Sequence, residues 1–180
     1  MNTNHHRTID ISPFRHLYPF ESRFVSINGL KYHYVDKGSG DPVLMIHGNP
    51  TWSFYFRSLI SALSPDYRTI APDHIGCGLS DKPDAETYDY RLERRVADLE
   101  CFIDTLELEK KLTLIVHDWG GMIGTAYAVA HPDRIGRVVL TNTAAFLPPA
   151  GKQLPFRLKL ARNWGPFSKF SILRLNLFVT

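Results

Sequence analysis

The first clear alternation of apolar and polar positions begins at residue 23. Residues 23–27 and 30–35 are alternating, β-branched and aromatic runs, and Asn28-Gly29 between them is a strong two-residue hairpin signal, so a pair of antiparallel strands is predicted. Beyond the turn Gly38-Ser39-Gly40, the unbroken run Val43-Leu44-Met45-Ile46 suits a strand buried on both faces. Trp52, Phe56, Leu59, Ile60 and Leu63 then follow the 3.6 period of a helix, for which Thr51 is a reasonable N-cap. Residues 68–71 read as a short fourth strand, and residues 72–83 as a long polar loop. Leu92, Val96, Leu99, Ile103 and Leu106 mark one face of a helix over residues 90–108. An apolar fifth strand at 112–116 leads into a small-residue helix at 122–130, which His131-Pro132 ends because proline cannot continue the hydrogen-bond ladder. Residues 138–140 are a sixth strand.

Nearly all-apolar strands alternating with amphipathic helices predict an α/β fold, a mostly parallel sheet covered on both faces, opened by an N-terminal antiparallel hairpin. Residues 1–20 lack periodicity and carry Pro13 and Pro19, which fits an arm lying over the surface. The core domain is expected over 21–147. After Phe146 the pattern changes: Pro148-Pro149 punctuates the chain, and the stretch from 154 to 180 is basic, apolar and helical in pattern without a following strand.

Composition adds limits. At 180 residues, 44% hydrophobic and 22% charged, the chain suffices for one sizeable core. The net charge of +3 is unevenly spread: no Asp or Glu occurs from Arg134 onward, so residues 1–133 are net acidic. The basic residues of that tail are scattered among Leu, Phe and Trp, which favours a solvated helix face over a nucleic-acid or lipid contact. Cys77 and Cys101, without metal-ligand neighbours, read as free thiols of a reducing compartment, and the cytoplasm is the expected location. No stretch approaches the roughly 18 apolar residues of a membrane span, and residues 1–20 lack the apolar core of a signal peptide. With no metal cluster, Gly-rich phosphate loop or stacking motif in the sequence, no metal, cofactor or nucleic acid is expected.

The chemistry is concentrated at His117-Asp118-Trp119-Gly120-Gly121, between the fifth strand and its helix. The pattern reads as a nucleophile elbow, a sharp strand-to-helix turn that needs small residues just after the nucleophile. Gly120 and Gly121 meet that need, and Asp118 stands where the familiar elbow has serine. An aspartate side chain, with a reference pKa of about 3.9, is ionised at neutral pH and attacks without a base. Attack on an ordinary ester gives an unproductive anhydride, whereas displacement at a saturated carbon gives an alkyl ester that water later cleaves. A hydrophobic small molecule with an sp3 electrophilic carbon is the expected substrate. A plain helix N-cap is the competing role for Asp118, but it leaves the double glycine unexplained. The loops after strands three and five should meet at the carboxyl edge of the sheet, where the backbone N–H groups of Asn49 and Trp119 form an oxyanion hole. The Asn49 amide and the Trp119 indole N–H are further donors for a departing anion. His117 should point to the opposite side of the strand, buried and hydrogen-bonded, and His47 should be structural; Asp73 and Asp81 should bond their own loop.

His47-Gly48-Asn49-Pro50-Thr51-Trp52-Ser53, taken together with the elbow, resembles the haloalkane dehalogenase family of α/β-hydrolases over residues 24–142. The resemblance implies Asp118 as nucleophile and Asn49 and Trp119 as the halide-holding pair. The loop Asp73-His74-Ile75-Gly76-Cys77-Gly78-Leu79-Ser80-Asp81-Lys82-Pro83 looks closer still to relatives encoded in long-chain olefin synthesis, which use the same constellation on a β-lactone to give alkene and carbon dioxide. That likeness implies assembly with other olefin-synthesis enzymes. Family members carry a late histidine base and an orienting acid; here the last histidine is His131, the last carboxylate is Asp133, and Asn142 stands where some relatives place the acid. Neither triad partner is found in this chain, and residues 148–180 resemble the beginning of the family's helical lid. The expectation is the first part of a longer enzyme, with a non-catalytic truncated chain as the alternative.

Overall fold

The computed structural model of the chain describes residues 9–144. The chain divides into two units, residues 1–146 and 147–180, and every described residue belongs to the first. The expected lid at 148–180 lies outside the described residues.

β1 (Arg23–Ile27) and β2 (Leu30–Lys37) form the predicted hairpin, with Ile27 opposite Leu30. Asn28 and Gly29 have φ values of 50° and 80°, the two left-handed positions that a type I′ turn requires. β3 (Pro42–Ile46), β4 (Arg68–Pro72), β5 (Leu112–His117) and β6 (Ile135–Thr141) complete a six-stranded sheet in the order β1-β2-β4-β3-β5-β6. β2 pairs antiparallel with β1 and β4, while β3/β4, β3/β5 and β5/β6 are parallel. The sheet grows from β3 toward β4 on one side and toward β5 on the other. This reversal opens a crevice at the carboxyl ends of β3 and β5.

The period-2 alternation of β3 and β5 splits their side chains between two cores. Leu44, Ile46, Leu114 and Val116 face the side packed by α2 (Leu92–Thr105) and α3 (Trp119–Ala130), together with Phe102, Ile103 and Tyr127. Val43, Met45 and Ile115 face the side covered by α1 (Arg57–Leu63), with Phe56 and Ile60. Tyr18 and Phe20 join this second core at 1% and 2% exposure, and Tyr18 Oη lies 2.6 Å from Ser53 Oγ. The end of the predicted surface arm is therefore pinned into the molecule.

The expected cap at Thr51 does not form. Its Oγ1 donates to the Gly48 carbonyl at 3.0 Å, and a 3-10 turn, Ser53–Phe56, precedes α1. The free N–H that a local cap would have served, that of Ser53, donates instead to Asp73 Oδ1 at 2.8 Å.

Candidate active site

Ile46 and Val116 are register partners, so the chain leaves β3 and β5 side by side. Asp118 follows β5 directly and turns into α3 with φ 51° and ψ −126°, a conformation disfavoured for a residue with a side chain. The turn is held by the Gly121 N–H donating to the Asp118 carbonyl at 3.0 Å and by the Thr143 hydroxyl donating to the same oxygen. The two glycines are required by contact. A Cβ at Gly120 would lie 2.1 Å from the Ile46 carbonyl oxygen, and one at Gly121 would lie 1.8 Å from Thr143 Oγ1.

The half-buried Asp118 carboxylate accepts the Asn49 backbone N–H on Oδ1 at 2.9 Å. Among the described residues no donor reaches Oδ2. Gly48 backs the carboxylate so closely that a Cβ there would stand 2.1 Å from Oδ1. Of the expected oxyanion hole, the Asn49 N–H is the arm in contact with the carboxylate. Trp119, 43% exposed at the first position of α3, joins Asp118, Met122, Asn142, Thr143 and Ala144 around a pocket of about 280 Å³. The side-chain Oδ1 of Asn49 lies 3.6 Å from Cys77 Sγ. Asn142, at φ 41°, lines the same pocket as Asp118.

His47 and His74 are accounted for by their partners. His47 is fully buried; its Nε2 accepts the His74 backbone N–H at 3.1 Å, so its Nδ1 carries the proton and donates to the Gly48 carbonyl at 2.7 Å. His74 Nε2 donates to the His47 carbonyl at 3.2 Å, leaving Nδ1 to accept from Tyr32 Oη at 3.4 Å. Both imidazoles thus have every ring nitrogen partnered in the neutral form. Burial is the chief cause holding both below the ordinary histidine range. His117 departs from its expectation of a buried, hydrogen-bonded ring: it is half-buried and stacked on Tyr55 at 4.2 Å, and its Nδ1 is buried without a hydrogen-bond partner.

Asp73 also does more than bond its own loop. Fully buried, it takes His33 Nδ1 at 2.8 Å, the Ser53 N–H at 2.8 Å and the Leu79 N–H at 2.8 Å. Burial works against the charged form, yet the His33 contact and the amide donors hold its carboxyl below the usual carboxylate range. One side chain thereby ties β2, the turn leading into α1 and the loop after β4. Its partners lie 40, 20 and 6 residues away, so no local sequence signal marks the cluster. Asp81 accepts the Lys31 N–H on Oδ2 at 2.7 Å and holds the same loop against β2. Among the described residues no group of three or more His, Cys, Asp or Glu could hold a metal ion, and no helix is long and apolar enough to cross a membrane.

The model of a family described as the alpha/beta hydrolase fold matches residues 41–173. A cis-3-alkyl-4-alkyloxetan-2-one decarboxylase of Shewanella oneidensis is 55% identical over 147 residues, covering 82% of this chain and 46% of the relative. Haloalkane dehalogenase 2 of Mycobacterium tuberculosis is 40% identical over 172 residues, covering 96% of this chain and 58% of the relative. Among solved structures, the haloalkane dehalogenase DatA of Agrobacterium tumefaciens C58 superposes with a TM-score of 0.77 at 30% identity, over 87% of this chain and 54% of that one. The chain spans about half the length of the curated relatives it matches.

Proposed function

The chain belongs to the alpha/beta hydrolase fold family, and from that membership we propose that it carries the nucleophilic half of an enzyme whose Asp118 carboxylate attacks a saturated carbon and forms a covalent alkyl ester. The observation that carries this reading is the state of the carboxylate. Asp118 sits on a strained elbow with Oδ1 engaged by the Asn49 N–H, while Oδ2 has no donor among the described residues and the side chain borders the pocket. Oδ2 is the attacking oxygen. Oδ1 becomes the ester carbonyl oxygen, and if water later adds at that carbon, the Asn49 N–H stabilises the negative charge that develops there.

The electrophile we assign is a β-lactone with alkyl groups on its two saturated ring carbons. Support comes from the 55% identity to the oxetanone decarboxylase against 40% to the dehalogenase. Oδ2 attacks the saturated ring carbon bonded to the ring oxygen, that alkyl C–O bond breaks, and its electron pair leaves on the carboxylate so formed. Loss of carbon dioxide then delivers the C–C electron pair to form the alkene as the bond to Oδ2 breaks, which regenerates Asp118 without water. Trp119 and the Asn49 amide are the donors for the departing anion in this reading. Attack on a haloalkane is the second reading, favoured by the 40% identity to haloalkane dehalogenase 2. That path ends in ester hydrolysis and needs a base for water: His47 and His74 are engaged with one another, and His117 is stacked on Tyr55.

The test gives the full gene product carrying this chain a cis-3,4-dialkyl β-lactone and, separately, a bromoalkane. Faster release of alkene and carbon dioxide than of bromide is expected. Steady bromide release with no alkene reverses the substrate assignment and leaves the nucleophile standing; turnover of either substrate by Asp118→Ala removes the nucleophile.

A further inference from the structure

Cys77 lies in the loop after β4, half-buried, and no step of the reaction above uses it. Its sulfur has two polar neighbours. Its S–H donates toward Asn49 Oδ1 at 3.6 Å, and the guanidinium of Arg95, on α2 and only 8% exposed, is a nearby positive charge. The partners of Arg95 are the Ile75 carbonyl at 3.3 Å and the Tyr90 ring at 5.5 Å. An amide oxygen only accepts, so the thiol S–H is the donor in this contact. Burial pushes the Cys77 thiol up from its ordinary value, so that proton is present at neutral pH.

We infer that Cys77 is a positioning residue: its S–H fixes which end of the Asn49 side-chain amide faces the leaving group. The two ends of a primary amide have nearly the same shape but opposite polarity. With Oδ1 held by the thiol, Nδ2 is the end left over, and among the described residues it has no partner. Turned over, the same amide would present a carbonyl oxygen to a departing anion and oppose the reaction. The neighbouring Asn49 backbone N–H donates to Asp118 Oδ1, so the residue serves nucleophile and leaving group from one fixed loop. The inference rests on the proposed function through the anion-holding role of Asn49.

The test uses bromide as the anion and the full gene product, reading quenching of tryptophan fluorescence, with isothermal titration calorimetry as an independent measure of the same affinity. Cys77→Ala is expected to weaken bromide binding about fivefold, the net worth of a typical hydrogen bond. Cys77→Ser, which keeps a donor, should restore it. In an Asn49→Ala background, Cys77→Ala should add nothing. Should Cys77→Ala fail to fold, Cys77→Val serves as the donorless variant. Parental affinity in the donorless variant, no rescue by serine, an additive loss beside Asn49→Ala, or no bromide binding in the parent each overturns the inference. Covalent labelling of Asp118, followed by mass spectrometry, is read in parallel. Labelling without bromide binding removes this inference alone, and bromide binding without labelling removes the proposed function alone.

Discussion

Asp118 holds φ 51° and ψ −126° because its carbonyl is bonded by the Gly121 N–H and the Thr143 hydroxyl, and its carboxylate by the Asn49 N–H. Strain at a single residue persists when several neighbours over-determine it. As the proposed nucleophile, Asp118 changed to Asn should keep the shape and lose the charge. Labelling by a bromoalkane, followed by intact mass, should then fall by at least about a thousandfold. A second prediction concerns His47 and His74, both held below the ordinary histidine range chiefly by burial. Their stabilising neutral state is fully kept above the unfolded value of about 6.5 and is lost as pH falls through the lower folded values, because the unfolded chain takes up protons first. The melting temperature should therefore drop between pH 7.5 and 5, and His74→Leu should flatten that slope while lowering stability at pH 7.5 by about 1–2 kcal/mol. At this scale the sharp turn at Asp118 is legible in the sequence because its glycines are adjacent in the chain. The sequence hides the His33–Asp73 pair and the Cys77–Asn49 contact, whose members meet only after the loops have closed.

The elements most legible in advance are those whose signals are local: Asn28-Gly29 for the hairpin, the all-apolar runs of β3 and β5, and the 3.6 period of α2. The entry to α1 is not legible, because Asp73, from a different loop, takes the Ser53 N–H and Thr51 bonds backward to Gly48. The glycines around the elbow perform two separable tasks. Gly120 lets α3 approach the backbone of β3, since an added Cβ would sit 2.1 Å from the Ile46 carbonyl oxygen and 2.7 Å from that of His47. Backbone cannot yield as a side chain does, so Gly120→Ala should destabilise the fold by about 1–3 kcal/mol, read as a lower denaturation midpoint. Gly48 instead backs the carboxylate, with its added Cβ 2.1 Å from Asp118 Oδ1. Gly48→Ala should slow Asp118 labelling about a hundredfold by displacing the reactive group, with a smaller loss of stability than Gly120→Ala. Equal damage to stability and labelling in both variants would show that the two glycines share one packing role.

Across the whole sheet, the order β1-β2-β4-β3-β5-β6 puts the reversal beside β3 and leaves β6 paired with β5 alone among the described strands. The pattern of apolar runs announces the α/β class, but the order comes from which edges meet in space and has no local trace in the sequence. β6 differs in burial from the strands beside the crevice. Where β3 is buried at every position, β6 exposes Val138 at 40%, Val139 at 44% and Leu140 at 53%. Successive side chains of a strand point to opposite faces, so apolar surface is open on both sides of β6, next to backbone groups that no other described strand pairs. A second copy of the same strand satisfies those groups and covers those side chains at once. The 180-residue polypeptide should therefore associate through β6 in a concentration-dependent way, measurable by sedimentation velocity. Val139→Lys puts a charge near the centre of the edge and should shift the polypeptide toward monomer without lowering its stability by more than about 1 kcal/mol. A parent polypeptide that stays monomeric at all concentrations, or a lysine variant that associates as strongly as the parent, would show that the β6 edge does not drive association.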